Sequence, residues 1–491
     1  VKTESSDVLS VEGALLVQQV SLLVTRLRAI LEGSVKIQQH AGDNDMLTDL
    51  YHQIASSYKT APDLRVTWLE SLADLHARND AWAEAGQCLV HIAALIAEYL
   101  QILEPTEGSM KGAAAFEVAC VSAVEEQSML DAQNMMDEDG VGETHIFTET
   151  GLCDVVERAI AYLTRAHLYE SAHELYKLLL PVHEKNHDYA KLASSHAALS
   201  NIFNKIMESI SNQSRLFGSF YRVGFYGARF GDLNGKEYVY KEPKITRLGE
   251  IQDRLLALYS RKLGVNINVI TTSGEVETKK LDQDACYMQL TSVLPYFDDW
   301  ELKQRKTDYE RSNNIGRFTF ETPFVKGSSK TQSPQLSDQW KRKTIISVEA
   351  AFPYMKRRLP VLSKESIELS PIETAIGVIE ARVQALAAQL THPNAKTLPL
   401  VLQGSVRITV NAGPTEISKV FLAPGCEKTY GEDNCNRLRI ILQDFLDICQ
   451  EALVKNKEII ASSQLQFHQE LEEGYAATKA LIEPLLSMDS K

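Results

Sequence analysis

The stretch Leu398-Pro-Leu-Val-Leu-Gln-Gly-Ser-Val-Arg-Ile-Thr-Val-Asn-Ala-Gly-Pro414 decides how the last part of the chain is read. From Leu398 to Val410 it is rich in apolar residues, and strong helical patterns flank it on both sides. Asn411-Ala412-Gly413-Pro414 then interrupts it. Asn and Gly tolerate left-handed backbone, and Pro cannot continue a helix but can begin one. Thr415-Glu-Ile-Ser-Lys-Val-Phe-Leu422 resumes a helical pattern. A helix broken inside a packed layer leaves backbone groups without intrahelical partners and turns a side chain away from the core. Here that side chain is Val410. An ordinary helix end followed by a loop fits the same local pattern.

Around this break the chain reads as a helical bundle, residues 366–491. Ser370-Pro371-Ile372-Glu373 combines an N-cap Ser, a Pro at the first helical position and a Glu three residues after the cap. Ile372, Ile376, Ile379, Val383, Leu386 and Leu390 alternate by four and three, the spacing of a bundle seam. Arg437–Val454 and Gln464–Leu486 add two helices. With the interrupted helix the pattern predicts a four-helix bundle.

Residues 1–212 also read as helical. Leu64, Trp68, Leu72 and Leu75 fall at helical spacing behind Pro62-Asp63. Ala83–Leu100, Leu152–Leu163, Tyr169–Leu180 and Ala190–Ile206 follow as helices, with the acidic, Gly-containing run 131–142 as an exposed loop. Antiparallel hairpins stacked like a helical-repeat array are expected, without the period of a named repeat. Between the helical parts, residues 213–365 change to a period of two. Glu237–Glu242, Val265–Thr271, Ala285–Val293, Arg317–Phe324 and Lys343–Ala350 read as strands of a β lobe with two small packed sheets. The polar run 326–335 reads as a loop within it. The aromatic run Phe217, Phe220, Tyr221, Phe225, Tyr226 and Phe230 reads as its core, with Gly224 and Gly227 allowing close backbone approach. The fold expected is mainly α with a central β lobe.

Composition excludes some functions. The 491 residues suffice for two to four domains, and a 44% hydrophobic content can fill large cores. A net charge of -14, from 51 basic and 65 acidic residues, disfavours nucleic acid or anionic membrane as the main partner. The basic cluster Lys356-Arg357-Arg358 reads as a solvated turn. Seven scattered Cys without a CxxC suggest reduced thiols and a cytoplasmic setting. No run of about 18 uncharged apolar residues predicts a membrane span, and the chain begins at Val1 like a piece of a longer protein.

Catalytic patterns are weak. His183-Glu-Lys-Asn-His187 formally matches a zinc-protease helix, but no third ligand is placed nearby and His187 sits near a helix end. Gly231-Asp-Leu-Asn-Gly-Lys-Glu237 is one residue short of a phosphate loop and lacks the Ser or Thr that would hold Mg²⁺, so it reads as a β-turn. Asn212-Gln213-Ser214 is a nominal glycosylation triplet with no bearing on a cytoplasmic chain. No metal site and no cofactor are expected.

Six runs in order nonetheless carry a specific resemblance. They are Ser57-Tyr-Lys-Thr-Ala-Pro-Asp-Leu-Arg-Val-Thr-Trp-Leu69, Phe217-Gly-Ser-Phe-Tyr-Arg-Val-Gly-Phe-Tyr-Gly-Ala-Arg-Phe-Gly-Asp232, Tyr238-Val-Tyr-Lys-Glu-Pro243, Trp340-Lys-Arg-Lys-Thr344, Pro371-Ile-Glu-Thr-Ala-Ile376 and the opening stretch. Together they resemble the catalytic region of the DOCK family of guanine nucleotide exchange factors, over nearly the whole chain. The resemblance implies GDP release and GTP loading on a Rho-family small GTPase, with no covalent chemistry. It implies that Val410 is the nucleotide sensor, shaped by Asn411 and Gly413, and that an apolar Val displaces Mg²⁺ by offering it no ligand. Leu400, Gln403, Ser405, Val406 and Pro414 are implied as GTPase contacts, Leu400 bearing on the choice between Rac-type and cell-division-control-type partners. The β lobe and bundle are expected to form the GTPase groove, and the first lobe to mediate a homodimer. The alternative is a helical scaffold that binds a GTPase without exchange.

Overall fold

A computed structural model of the chain describes residues 31–40, 42–58, 61–103, 108–129, 145–212, 215, 217–243, 245–282, 284–326, 335–391, 393, 396–406 and 413–486, with positions 17, 20, 21, 24, 27 and 28. The acidic run 131–142 and most of the polar run 326–335 lie outside the described residues. The chain divides into two compact units, residues 1–319 with 346–364, and residues 320–345 with 365–491.

The first unit opens with helices α1 (Asn44–Ser57), α2 (Pro62–Arg78) and α3 (Trp82–Leu103), then α4 (Glu149–Arg165), α5 (Tyr169–Lys185) and α6 (Tyr189–Asn212). Helix α2 starts on Pro62 as expected, but Leu64 is exposed and the buried face runs Val66, Leu69, Leu72, Ala73. Three helix–helix turns repeat one device. Asp80, His167 and His187 take φ of 55°, 60° and 53°. The next residue's N–H then reaches back to close each helix: Ala81 N to His76 O at 2.9 Å, Leu168 N to Leu163 O at 2.8 Å and Asp188 N to His183 O at 2.9 Å. This left-handed cap satisfies orphan carbonyls and ends each helix in the same way. His187 is thus a cap residue beyond the end of α5, not a partner of His183 on one helical face.

Helix α3 is the spine of this unit. By length and composition alone it could cross a membrane, with mean hydropathy 1.4, but 72% of that window is buried against its neighbours. Its His91 lies in a buried ion cluster. Arg65 grips Glu126 with two hydrogen bonds of 2.8 and 2.7 Å, and His91 Nδ1 lies 2.8 Å from the same carboxylate. Burial alone would raise Glu126, but Arg65 and His91 outweigh it and hold the carboxyl at about 2. Burial alone would lower His91, but hydrogen bonds to Cys120 and Glu126 outweigh it and raise the imidazole to about 10.

The sheet follows. Strands β1 (Ser219–Tyr226) and β2 (Glu237–Glu242) pair antiparallel, Tyr221 opposite Tyr240. Helix α7 (Leu248–Leu263) intervenes before β3 (Ile267–Ile270) and β4 (Cys286–Pro295), which run parallel, and β4 also flanks β1. Short helices α8 (Asp299–Gln304) and α9 (Asp308–Ser312) lead to strands β5 (Ile315–Val325), β6 (Gln339–Phe352) and β7 (Arg358–Leu369). The strand order is β1-β2-β7-β6-β5-β4-β3, antiparallel at β4–β5 and β2–β7. Phe220, Tyr221, Phe225, Tyr226 and Phe230 of the aromatic run are core residues. Gly227 has φ 130°, and a Cβ there would stand 2.6 Å from the Ala285 carbonyl.

Two expectations are corrected here. The stretch before β3 is helical: Ile251, Leu255 and Tyr259 recur at four-residue spacing, and Gly264 closes the helix at φ 66°. The basic cluster is not a solvated turn, because each cation has an acid waiting. Lys356 meets Glu349 at 3.0 Å, Arg357 meets Glu242 at 3.1 Å and Arg358 meets Asp49 at 2.7 Å. Arg358 is 2% exposed and also donates to the Tyr240 and Tyr259 hydroxyls.

The second unit holds α10 (Pro371–Thr391), α11 (Leu398–Val406), α12 (Pro414–Phe421), α13 (Cys426–Tyr430), α14 (Glu432–Ile459) and α15 (Leu465–Leu486). Helix α10 begins with the reciprocal cap its sequence announces, Ser370 N donating to Glu373 at 2.8 Å. Ile372, Ile376, Ile379 and Leu386 face a single core shared with Leu438, Leu442, Phe445, Leu471 and Ile482.

The ion cluster sets a pH signature. Glu126 contributes stability that is complete above its ordinary 4.5 and is lost as pH falls toward about 2. His91 contributes stability that is complete below its ordinary 6.5 and is lost as pH rises through about 10. Glu126→Gln leaves a buried guanidinium unpaired and should cost about 3–5 kcal/mol in denaturant titration. The gap from the parent should be widest between pH 4.5 and 6.5 and narrow on both sides. A gap that keeps one size from pH 3 to 9 would contradict this assignment.

Candidate functional site

Helix α11 forms because Leu398, Leu402 and Val406 recur at four-residue spacing and are all buried in the core of the second unit. Pro399 falls in the first turn, where its missing N–H costs nothing. The opposite face is accessible: Leu400 is 62% exposed and Gln403 is half-buried. Helix α12 begins on Pro414 behind Gly413, whose carbonyl accepts from Ile417 N at 2.9 Å. Its buried residues Pro414, Ile417, Ser418 and Phe421 return the chain to the same core.

Residues 407–412, with Val410 and Asn411, lie outside the described residues. The two ends that carry them are well placed. Val406 is 3% exposed, and both Gly413 and Pro414 are buried. Ser405 is buried too, its hydroxyl donating to the Val401 carbonyl at 2.9 Å. The side chains of Ser405, Val406 and Pro414 thus lie on the core side. Leu400 and Gln403 remain on the accessible side.

Side chains from two other helices reach carbonyls of α11. Arg382 of α10 donates to the Gly404 carbonyl at 3.4 Å, and Thr478 of α15 donates to the Val406 carbonyl at 3.3 Å. Burial lowers the Arg382 guanidinium from its ordinary value, and among the described residues it has no carboxylate partner. Sequence reasoning passed over both residues. The available signal was Thr478 itself, a polar residue on the stripe Leu471, Tyr475, Thr478, Ile482 that faces the core.

The chemistry here is that of shape. Burial pushes the Cys449 thiol up to about 12. Burial, with Cys426 beside it, does the same to Cys435. Neither is a nucleophile near neutral pH. Among the described residues no group of three or more His, Cys, Asp or Glu could hold a metal. What the described residues offer is an exposed leucine, Leu400, on a helix whose other face is committed to the core.

Comparison with known proteins supplies the context. Three family models match in order: DHR-2, Lobe A over residues 49–208, DHR-2, Lobe B over 273–351 and DHR-2, Lobe C over 385–485. The chain is 42% identical over 475 residues to Dedicator of cytokinesis protein 7 of Mus musculus, covering 96% of this chain and 22% of that protein. It is 40% identical over 474 residues to Dedicator of cytokinesis protein 8 of Homo sapiens, covering 95% and 22%. With Dedicator of cytokinesis protein 9 of Mus musculus the identity is 37% over 473 residues, covering 92% and 22%. The chain thus spans about a fifth of the length of these relatives.

The two faces of α11 should separate cleanly on mutation. Leu402→Ala empties a fully buried position and should cost about 2–5 kcal/mol. Leu400→Ala should stay within about 0.5 kcal/mol of the parent, as for other surface changes. Equal losses in thermal unfolding would contradict this placement of Leu400.

Proposed function

Because the chain belongs to the DOCK family, and carries its DHR-2 region, we propose that it is a guanine nucleotide exchange factor for Rho-family small GTPases. The observation that carries this proposal is the match to lobes A, B and C in order along one chain. The three-lobe division 1–212, 213–365 and 366–491 is part of it. So is a C-terminal four-helix bundle in which α11 and α12 together make one interrupted helix. The seven buried, unpaired thiols favour a cytoplasmic setting.

Exchange needs no bond to break. It needs the factor and the nucleotide to weaken each other's hold on the GTPase by the same factor. A thousandfold acceleration asks for roughly 4 kcal/mol of such coupling. Val410 supplies it by entering the region where Mg²⁺ and phosphates are held. Mg²⁺ needs oxygen ligands, and an isopropyl group offers none while excluding the water that could substitute. Asn411 and Gly413 shape the segment, and incoming GTP with Mg²⁺ reverses the displacement. Leu400 and Gln403 meet the GTPase from the accessible face of α11. Side-chain shape at one apolar contact is worth about 1–3 kcal/mol, so Leu400 biases the choice of partner without fixing it.

The first unit supplies the self-association face. Val17, Val20, Val24, Leu27 and Leu31 are exposed at spacings of three and four, and Phe203, Met207 and Ile210 are exposed on α6. A homodimer would cover such surface.

Release of fluorescent GDP from a panel of Rho-family GTPases is the test. The chain should accelerate release from at least one Rac-type or cell-division-control-type member, and a flat response from folded protein would leave the scaffold alternative. Val410→Ala should slow release by about tenfold or more, equal to about 1.4 kcal/mol. Its melting temperature and its binding to nucleotide-free GTPase should hardly change. Full-rate exchange by this variant would remove Val410 from the mechanism. Leu400→Met should shift the rate ratio toward Rac-type partners, and light scattering at micromolar concentration should give twice the chain mass.

A further inference from the structure

We propose that Cys120 is a modification site, a thiol that His91 and Ser122 prepare for oxidation by hydrogen peroxide to a sulfenic acid. This chemistry is independent of nucleotide exchange, and its residues all belong to the first unit.

The ion cluster around Glu126 does not end at His91. Cys120 Sγ lies 3.1 Å from the Ser122 hydroxyl, and that hydroxyl lies 2.9 Å from His91 Nε2. On the other ring nitrogen, His91 Nδ1 lies 2.8 Å from the Glu126 carboxylate, which Arg65 also grips. A carboxylate can only accept, so Nδ1 carries a hydrogen. Burial opposes a charge on this imidazole, but its hydrogen bonds to Cys120 and Glu126 outweigh burial and keep it protonated. Nε2 then donates as well, to the Ser122 oxygen, and the hydrogen of Ser122 is left to point at Sγ. Charge balance points the same way. Arg65 and His91 are two buried cations against one buried carboxylate, Glu126. Glu125 is half-buried and accepts from the Tyr354 hydroxyl at 2.9 Å. An excess charge in such surroundings is costly, and negative charge developing on Sγ offsets it.

Cys153 is the informative contrast, because both thiols are 5% exposed. Burial and the acids Glu149, Glu157 and Asp154 push the Cys153 thiol up to about 11. Burial likewise raises Cys88, Cys286, Cys435 and Cys449. Cys120 faces a cation instead, and it lies between residues open to solvent, with Val118 and Val121 exposed and Ser122 half-buried. The reaction balances with hydrogen peroxide as the oxidant. A lone pair of the Cys120 thiolate attacks one peroxide oxygen, the S–O bond forms and the O–O bond breaks. Sulfur gives up two electrons and the peroxide takes them. The departing hydroxide receives a proton from Ser122, which His91 replaces, and leaves as water. Thiolate, imidazolium and peroxide thus become sulfenic acid, neutral imidazole and water.

The test treats the full chain with hydrogen peroxide and dimedone, which traps sulfenic acids, and reads each labelled cysteine by peptide mass spectrometry. In the folded parent, Cys120 should label about tenfold faster than Cys153. In denaturant the two should label alike. Ser122→Ala breaks the relay while leaving Arg65, Glu126 and His91 in place. It should slow Cys120 labelling by about fivefold, the scale of one hydrogen bond. Ser122→Thr keeps the hydroxyl and should label like the parent. Cys120 labelling no faster than Cys153 in the folded parent overturns the proposal, and that reading needs no variant. A preference for Cys120 that persists in denaturant overturns it too, because local sequence and not the folded cluster would then be the cause. Parent-rate labelling in Ser122→Ala, or equal slowing in both Ser122 variants, removes the hydroxyl relay and overturns it as well. Cys153 serves as the internal check: a rise in its labelling marks an unfolded variant, and the parent comparison then decides.

Discussion

Burial along one face fixes how the helices of the second unit turn, and the rest of that unit depends on it. Leu398, Leu402 and Val406 commit α11 to the core. Side chains of α10 and α15 reach its carbonyls, through Arg382 and Thr478. Helix α12 begins on Pro414 behind Gly413, a pair suited to starting a helix. Ile417 and Phe421 then bring it to the same core.

The first unit meets a related demand with charge. Glu126 lies between Arg65 and His91 with no exposure to solvent, and Arg358 lies among Asp49, Tyr240 and Tyr259. Such groups contribute less net stability than their geometry suggests, because each ion has lost its water. What they enforce is partner identity. Removing one member leaves another stranded, so α1, α2, α3, β2, β7 and the segment carrying Glu126 can pack with one another in few alternative ways.

Long periodic helices were legible in the sequence, because burial against one neighbour imposes one spacing. The seam on α10 and the Ser370–Glu373 cap show this. Strands with a clear turn on each side were legible too, as with Glu237–Glu242. Helix α7 was missed because it lies among strands, so a period of two was extended across it. The role of Lys356-Arg357-Arg358 was missed for another reason. A run of cations reads as solvated unless its acids are known, and Asp49 lies 309 positions away. At the candidate site, the start of α12 on Pro414 behind Gly413 was legible. Which residues faced the core was not: resemblance assigns positions, whereas helical phase assigns sides, and phase put Ser405, Val406 and Pro414 inside. Thr478 escaped notice because one polar residue on an apolar stripe has no partner visible in the sequence.

The first unit is discontinuous: it is completed only by residues 346–364, after the chain has contributed residues 320–345 to the second. Synthesis runs in one direction, so this order has a temporal meaning. When α1 leaves the ribosome, Asp49 must wait more than three hundred residues for Arg358. At about 5–20 residues per second that interval is on the order of fifteen seconds to a minute. Through it Asp49 stands without the guanidinium that later ties it to Tyr240 and Tyr259. A nascent chain of this kind carries an unfinished first unit until part of the second has already been made, and any factor that shields new chains would find its longest task there.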